Sequence, residues 1–157
     1  MIRLVAMDVD GTLTDGGIYM DGEGGEYKRF NVKDGWGIVL LKKSSVEVSF
    51  ISGRVSKPTE RRADELGVSR VVCGVDDKLS SLEAMAGEMG LDRSEIAFIG
   101  DDTQDVECIK WAGLGIAVAD ASADVLSAAD WITPRRGGEG AVRDAAEHIV
   151  QLNGTTG

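Results

Sequence analysis

Two acidic residues alternate at the end of an apolar run near the amino terminus, in the segment MDVDGTLTDG (7–16). Asp8 and Asp10 are suited to phosphoryl transfer, because one carboxylate can attack phosphorus while the other protonates the leaving oxygen and later activates water. Gly11 allows the chain to turn, so that the two carboxylates take different roles. We interpret Asp8 as the nucleophile and Asp10 as the acid/base. The alternative is an ordinary Asp-Gly turn at a strand end.

Further polar residues follow the later apolar runs: Ser52, Gly53 and Arg54 in ISGR, Lys78 in GVDDK, and Asp101, Asp102 and Asp105 in GDDTQD. Ligands of open α/β sheets bind beyond the carboxyl ends of the strands, so these sets converge if their strands are adjacent. Crowded carboxylates repel one another unless a cation lies among them. Oxygen ligands without a nearby His or Cys favour a hard ion, and we predict Mg²⁺.

The phosphate is expected to contact Ser52, Gly53 and Lys78, and the acids are expected to be supported by Thr12, Asp102 and Asp105. Other interpretations remain open at several of these positions. Asp102 or Thr103 can cap the following helix, and Asp105 can be a first-turn helix acid. Lys78 can be a solvated helix residue. Arg54 either contacts the substrate or only holds its loop.

The residues that position these groups alternate between short apolar runs and amphipathic stretches. The apolar runs predict strands over 2–9, 46–52, 70–74, 96–101, 115–120 and 130–133. The amphipathic stretches predict helices over 57–67, 76–90, 105–113 and 140–154. The alternation indicates an α/β fold, a doubly wound and mostly parallel sheet with helices on both faces. No linker or repeat divides the chain, so we expect one domain over 1–157, with 154–157 as a tail.

The segment 16–33 interrupts this rhythm with two extended arms around the turn DGEGG, which predicts a projecting β-hairpin flap beside Asp8 and Asp10. An isolated two-stranded ribbon is marginally stable in water. We therefore expect its Tyr and Met side chains to pack against a neighbouring subunit. The alternative is a flap that rests on its own domain.

Composition excludes several classes of protein. The chain has 157 residues, 43% of them hydrophobic, and a net charge of -10, which argues against a nucleic-acid partner. Cys73 and Cys108 lie far apart, so neither a disulfide framework nor a zinc site is expected and a cytoplasmic location is favoured. No apolar stretch approaches the roughly 20 residues that span a bilayer, so no membrane partner is expected.

The segment TPRRGGEGAVR (133–143) carries two arginines in a glycine-rich loop before the last helix. Guanidinium groups bind carboxylates through two parallel hydrogen bonds. Arg135 and Arg136 are therefore candidates for binding an acid group of the substrate. The alternative is a solvated loop.

The motifs DVDGT, ISGR, a following lysine and GDDTQD, in this order, resemble the haloacid dehalogenase superfamily of phosphatases. FNVKDGWGI, GVDDKLSSLEAM and GGEGAVRDAAEHI extend the likeness over nearly the whole chain to the family of 3-deoxy-D-manno-octulosonate 8-phosphate phosphatases. The resemblance implies a Rossmann-like fold and a Mg²⁺ ion held by the carboxylates of Asp8 and Asp101 and the backbone carbonyl of Asp10. It also implies phosphate contacts from Ser52 and Lys78.

The gaps between the motifs leave no room for the cap domain that superfamily members usually carry. The resemblance implies instead a capless homotetramer whose hairpins meet in the centre, an aspartyl-phosphate intermediate, and a role in lipopolysaccharide biosynthesis. The expected substrate is a phosphorylated 2-keto-3-deoxy sugar acid of eight carbons, with nine-carbon, sialic-type acids as the alternative. Two other classes compete with this reading: a phosphoacceptor receiver domain and a non-catalytic oligomerisation module.

Overall fold

The computed structural model describes residues 1–155, which form strands and helices in alternation. The strands are β1 (Leu4–Met7), β2 (Tyr19–Met20), β3 (Glu26–Tyr27), β4 (Glu47–Ser52), β5 (Arg70–Cys73), β6 (Ile96–Gly100), β7 (Leu114–Ala117) and β8 (Trp131–Ile132). The helices are α1 (Val32–Lys43), α2 (Lys57–Leu66), α3 (Lys78–Met89), α4 (Val106–Trp111), α5 (Ala123–Ala128) and α6 (Ala141–Thr155). Short 3₁₀ turns over Arg93–Glu95 and Thr103–Asp105 precede β6 and α4.

The central sheet has the strand order β5-β4-β1-β6-β7-β8, and all of its neighbouring pairs are parallel. Helix α1 packs against α2 and α6, whereas α3 packs against α4 and α4 against α5. Right-handed connections place these two groups on opposite faces. The prediction of a doubly wound parallel α/β fold is confirmed. Because β1 lies between β4 and β6, three of the polar segments that carry the motifs meet at one edge.

The core is centred on β1 and β6, whose residues are all buried. Apolar runs without alternation are what a parallel strand covered on both faces requires. Phe98 on β6 and Phe50 on the neighbouring strand β4 have no exposed surface. The strands beside the polar edge are therefore held firmly, which fixes where the chain leaves the sheet.

The boundaries predicted for helix α2 are confirmed, because the residues expected to cap its two ends do so. The Ser56 hydroxyl accepts a hydrogen bond from the backbone of Thr59, and Pro58 lies in the first turn. Gly67 ends the helix in the left-handed conformation, at φ +63°.

The hairpin is shorter than predicted. Its strands pair only Tyr19 with Tyr27 and Met20 with Glu26. The flap prediction over 16–33 is wrong at its end, since α1 begins at Val32, where the Asn31 side chain accepts a hydrogen bond from the backbone of Lys33. Helix α5 was not predicted, because six residues give too little periodicity to detect.

The last helix extends beyond its predicted end, and residues 154–155 of the expected tail belong to it. The Asn153 side chain exchanges two hydrogen bonds of 2.8 Å with the backbone of Ile2 and so ties the final turn to the start of β1. Residues 156–157 of that predicted tail lie outside the described residues.

Two further expectations concern the chain as a whole. Cys73 and Cys108 are both free. Within residues 1–155, no helix has the length and apolar character needed to cross a membrane.

Candidate metal and phosphate site

Asp8 leaves the sheet directly after β1, and its side chain is almost completely buried. Its backbone N–H donates to Ile99 O at 3.0 Å, which continues the strand pairing by one residue. The chain then turns at Gly11, where φ is +91° and a Cβ atom would lie 1.9 Å from Asp101 Oδ2. Only glycine fits there, so the turn brings the first motif against the carboxylate of the last one.

Three carboxylates form a cluster at this edge. Asp8, Asp101 and Asp105 each offer an oxygen, and these oxygens lie within 4.8 Å of one another. The Thr12 hydroxyl lies 3.4 Å from both Asp8 Oδ2 and Asp101 Oδ1. The buried Thr12 therefore bridges the two acids expected to hold a metal.

Lys78 supplies the positive charge of the cluster. It is the first residue of α3, and its ammonium group donates to Asp8 Oδ1 at 2.6 Å and to Asp105 Oδ1 at 2.8 Å. Burial by itself lowers the pKa of Lys78, but the charges of Asp8 and Asp105 outweigh it and raise the pKa above 10.5. Lys78 is thus a buried cation in the site and not a solvated helix residue.

Asp105 links Lys78 to the loop that carries Asp101. Its Oδ2 accepts from the backbone N–H groups of Asp101 and Asp102, at 3.0 and 3.3 Å, while its Oδ1 is bound to Lys78. A Cβ atom at Gly100 would lie 2.6 Å from the Asp105 Cβ, so the strand end must be glycine for this approach. Asp105 fixes the loop that presents Asp101.

The crowding makes the acids hard to ionise. Burial raises the pKa of Asp8 from 3.8 to about 6, and the charge of Asp105 adds to the rise. Burial, followed by the hydrogen bond and charge of Asp8, raises the pKa of Asp101 to about 9. A divalent cation would relieve this repulsion, and an all-oxygen donor set fits a hard ion such as Mg²⁺. The residues present therefore fit the expected metal.

The stability of the metal-free protein is expected to fall as the pH rises. Asp8 and Asp101 keep their protons in the folded state above the unfolded value of 3.8, so the folded state binds more protons between about pH 4 and 9. Mg²⁺ replaces those protons. Thermal unfolding in EDTA and in Mg²⁺ should show a larger rise of Tm with Mg²⁺ at about pH 8.5 than at about pH 5. An equal rise of Tm at both pH values would contradict this expectation. So would an Asp101→Asn variant whose Tm rise depends on pH as strongly as that of the wild type.

Asp10 lies apart from the cluster. Its carboxylate Oδ1 is 2.7 Å from the ammonium group of Lys28, which comes from the hairpin. The metal-binding role that the resemblance implies for Asp10 uses its backbone carbonyl, so the side chain is free for another task.

The second motif lies at the end of β4. Ser52 is buried, and its hydroxyl accepts from the backbone N–H of Arg54 at 3.2 Å while keeping a proton to donate. Gly53 is exposed at the same turn. The Arg54 guanidinium lies 3.4 Å from Glu26 on the hairpin, so Arg54 holds its loop to the hairpin.

The remaining predicted residues divide between helix capping, an ion pair and the surface. Asp102 is exposed and accepts from the backbone of Thr103 at 2.8 Å, which favours its capping interpretation. The Arg135 guanidinium binds Asp144 at 2.6 and 2.9 Å and is not presented to a ligand. Arg136 is exposed and has no ion-pair partner among residues 1–155.

The glycine-rich loop before α6 packs on the first motif. A Cβ atom at Gly137 would lie 1.8 Å from Gly11 O, and the backbone N–H of Gly138 donates to Thr12 O at 3.1 Å. The buried carboxylate of Asp34 holds the start of the following helix, since it accepts from the backbone of Val142 at 3.1 Å.

Sequence reasoning missed Lys28 and Asp34. A signal for Lys28 was present, because the arm EYKRF belongs to a hairpin expected beside Asp8 and Asp10. The capping of one helix by an acid from another has no local signal, since Asp34 and Val142 are 108 residues apart.

Comparison with known proteins agrees with this geometry. The model of a family described as haloacid dehalogenase-like hydrolase matches residues 72–144. A 3-deoxy-D-manno-octulosonate 8-phosphate phosphatase of Yersinia pestis is 41% identical over 99% of this chain and 86% of its own.

Solved structures give the same result. The phosphatase of that description from Moraxella catarrhalis, crystallised with magnesium ion, phosphate ion and KDO, has a TM-score of 0.93 and 43% identity over 96% of this chain and 86% of its own. The cobalt-bound enzyme from Haemophilus influenzae has a TM-score of 0.94 and 36% identity over 98% of this chain and 90% of its own. The chain therefore belongs to the haloacid dehalogenase-like hydrolases, within the family of the 3-deoxy-D-manno-octulosonate 8-phosphate phosphatases.

Proposed function

We propose that this protein is a magnesium-dependent phosphatase that hydrolyses 3-deoxy-D-manno-octulosonate 8-phosphate to the free sugar acid and inorganic phosphate. The observation that carries the proposal is the buried cluster in which Asp8, Asp101 and Lys78 meet at the carboxyl edge of the sheet. The relatives that share nearly the whole chain carry this activity in their names.

The residues proposed to hold Mg²⁺ are Asp8 and Asp101, through their carboxylates, and Asp10, through its backbone carbonyl. The ion would neutralise charge on the phosphoryl oxygens. Lys78, Ser52 and Gly53 complete the proposed phosphate site. Lys78 also favours the ionised form of Asp8, because its ammonium group lies 2.6 Å from Asp8 Oδ1.

Asp8 is the proposed nucleophile. A carboxylate oxygen forms a bond to phosphorus as the bond between phosphorus and the sugar oxygen breaks. Asp10 gives its proton to that leaving oxygen and later takes a proton from the water that attacks the aspartyl phosphate, which returns Asp8 to its carboxylate form. Thr12 and Asp105 support this arrangement through the contacts described above, whereas Asp102 acts at the helix start.

The substrate class follows from the relatives, and two arginines beside the site can bind its acid group. Arg54 lies at the rim next to the hairpin, and Arg136 is exposed at the loop that packs on the first motif. A nine-carbon ulosonic acid phosphate is the second candidate, since one extra carbon changes discrimination only modestly.

The assembly proposed here is a homotetramer of a single-domain, cytoplasmic chain over 1–157. The hairpin supports it, because the side chains of Tyr19, Met20 and Tyr27 are 60%, 76% and 68% exposed and have apolar area to bury. Neighbouring subunits would then shield a site that has no cap domain.

A panel of phosphomonoesters tests the function, with phosphate release measured in Mg²⁺ and in EDTA. We expect steady turnover, with the largest kcat/KM on the eight-carbon sugar-acid phosphate. Release of no more than one phosphate per chain would indicate a phosphoacceptor domain. No release from any substrate would favour the oligomerisation module, and a preference for the nine-carbon acid would replace the proposed substrate.

A further inference from the structure

Lys28 is a buried cation that none of the roles proposed above uses. It follows β3 of the hairpin, its side chain is 0% exposed, and its ammonium group lies 2.7 Å from Asp10 Oδ1. A lysine is seldom buried this completely unless it is paired. Its position therefore reflects the anions around it.

Two more partners fix the ammonium group. Glu26 Oε1, on the same strand arm, is 3.4 Å away, and the Thr59 hydroxyl, on α2, accepts from Lys28 at 3.3 Å. Glu26 in turn lies 3.4 Å from Arg54 and 3.5 Å from the Ser56 hydroxyl. The ammonium group of Lys28 is thus held between the hairpin and α2, and these contacts fix its position beside Asp10.

The carboxylate of Asp10 has little else to hold it. Oδ1 is buried, and no hydrogen-bond donor of suitable geometry reaches it within the part of the chain that the structure describes. Asp10 also lies in a turn that is closed by backbone hydrogen bonds to Val9 O, and these bonds fix the main chain but not the side chain. The ion pair with Lys28 is therefore the contact that decides where Oδ1 points.

We propose that Lys28 is a positioning residue: it holds Oδ1 of Asp10, so that the other oxygen of the carboxyl group, which carries the proton, faces the leaving oxygen. The hairpin then becomes part of the catalytic arrangement. The inference rests on the proposed phosphatase function. A hairpin that only anchored itself could do so through Glu26 with Arg54 and Ser56, without a contact to Asp10.

The effect of removing this contact can be resolved into steps. With a sugar phosphate, both steps need Asp10, since the leaving oxygen takes a proton and the water loses one. With p-nitrophenyl phosphate, the phenolate leaves without a proton, so only the attack of water on the aspartyl phosphate still needs Asp10. A misplaced Asp10 therefore leaves the first step intact and slows the second, and the aspartyl phosphate accumulates.

The test is Lys28→Met, with Lys28→Arg as the charge-conserving variant and Lys33→Met, an exposed residue on α1, as the control. We expect Lys28→Met to lower kcat on the sugar-acid phosphate by about 100-fold, with KM within about threefold of the wild type. On p-nitrophenyl phosphate it should give a burst of one phenolate per chain. Lys28→Arg should recover part of kcat and reduce the burst, and Lys33→Met should behave as the wild type.

An unchanged kcat in Lys28→Met, or a rise of KM alone, would overturn the inference. If Lys28→Met does not fold, Lys28→Gln, which removes the charge but keeps a polar side chain, should lower kcat and give the same burst, and an unchanged kcat in Lys28→Gln overturns the inference. A crystal structure of either variant decides the matter without activity, because the Asp10 carboxylate must leave its position. A wild type without turnover would instead refute the proposed function.

Discussion

Replacing Asp8 with asparagine is expected to lower kcat by about 10⁴-fold or more, since the loss of a nucleophile removes most of the catalytic rate. The amide keeps the size of the side chain but cannot form the aspartyl phosphate, because it has no carboxylate oxygen to give. Phosphate release on the sugar-acid phosphate in saturating Mg²⁺ measures the effect, with thermal unfolding as the check that the variant folds.

Asp64→Asn is the matched control for that variant. Asp64 is exposed on α2, away from the carboxylate cluster, and the same substitution there should leave kcat unchanged. An Asp8→Asn variant that retains a tenth or more of wild-type turnover would contradict the assignment of Asp8 as nucleophile.

Replacing Lys78 with methionine is expected to destabilise the protein by about 3–5 kcal/mol, the usual cost of breaking a buried ion pair from one side. Asp8 and Asp105 are both buried against this single ammonium group, which donates to them at 2.6 and 2.8 Å. Without it, the two carboxylates must take up protons or draw the site apart. Urea unfolding at neutral pH, in EDTA, measures the change in the free energy of unfolding.

Lys110→Met provides the comparison, because Lys110 is exposed on α4. That variant should change the free energy of unfolding by no more than about 0.5 kcal/mol. If Lys78→Met lowers the free energy of unfolding by no more than Lys110→Met does, the ion pairs of Lys78 contribute little to stability. The role of Lys78 would then be confined to binding phosphate.

The position of the site was predictable because parallel strands present their carboxyl ends at one edge. DVDGT, ISGR and GDDTQD each follow an apolar run, and the only further requirement was that these runs be neighbours. The strand order β5-β4-β1-β6 satisfies it. Helix ends with strong local signals, such as Ser56 and Gly67, were predictable for a similar reason.

What escaped prediction depends on contacts between distant segments. The sequence placed the hairpin beside Asp10, but it did not indicate that the ammonium group of Lys28, 18 positions further along the chain, reaches the Asp10 side chain. Arg135 carried the charge expected of a substrate contact, but its guanidinium binds Asp144, which lies in the first turn of α6. The hairpin was predictable from its glycine-rich turn, whereas its short pairing and the start of α1 at Val32 were not.

The central claim is that Asp8 and Asp101 share one divalent ion and that Asp8 faces the phosphorus of the substrate. A crystal structure with Mn²⁺ and a phosphate analogue, in which anomalous scattering locates the metal, tests it most directly. We expect one ion contacted by a carboxylate oxygen of each residue, with the second oxygen of Asp8 in line with the analogue. A metal bound elsewhere, or an analogue held away from Asp8, would contradict it.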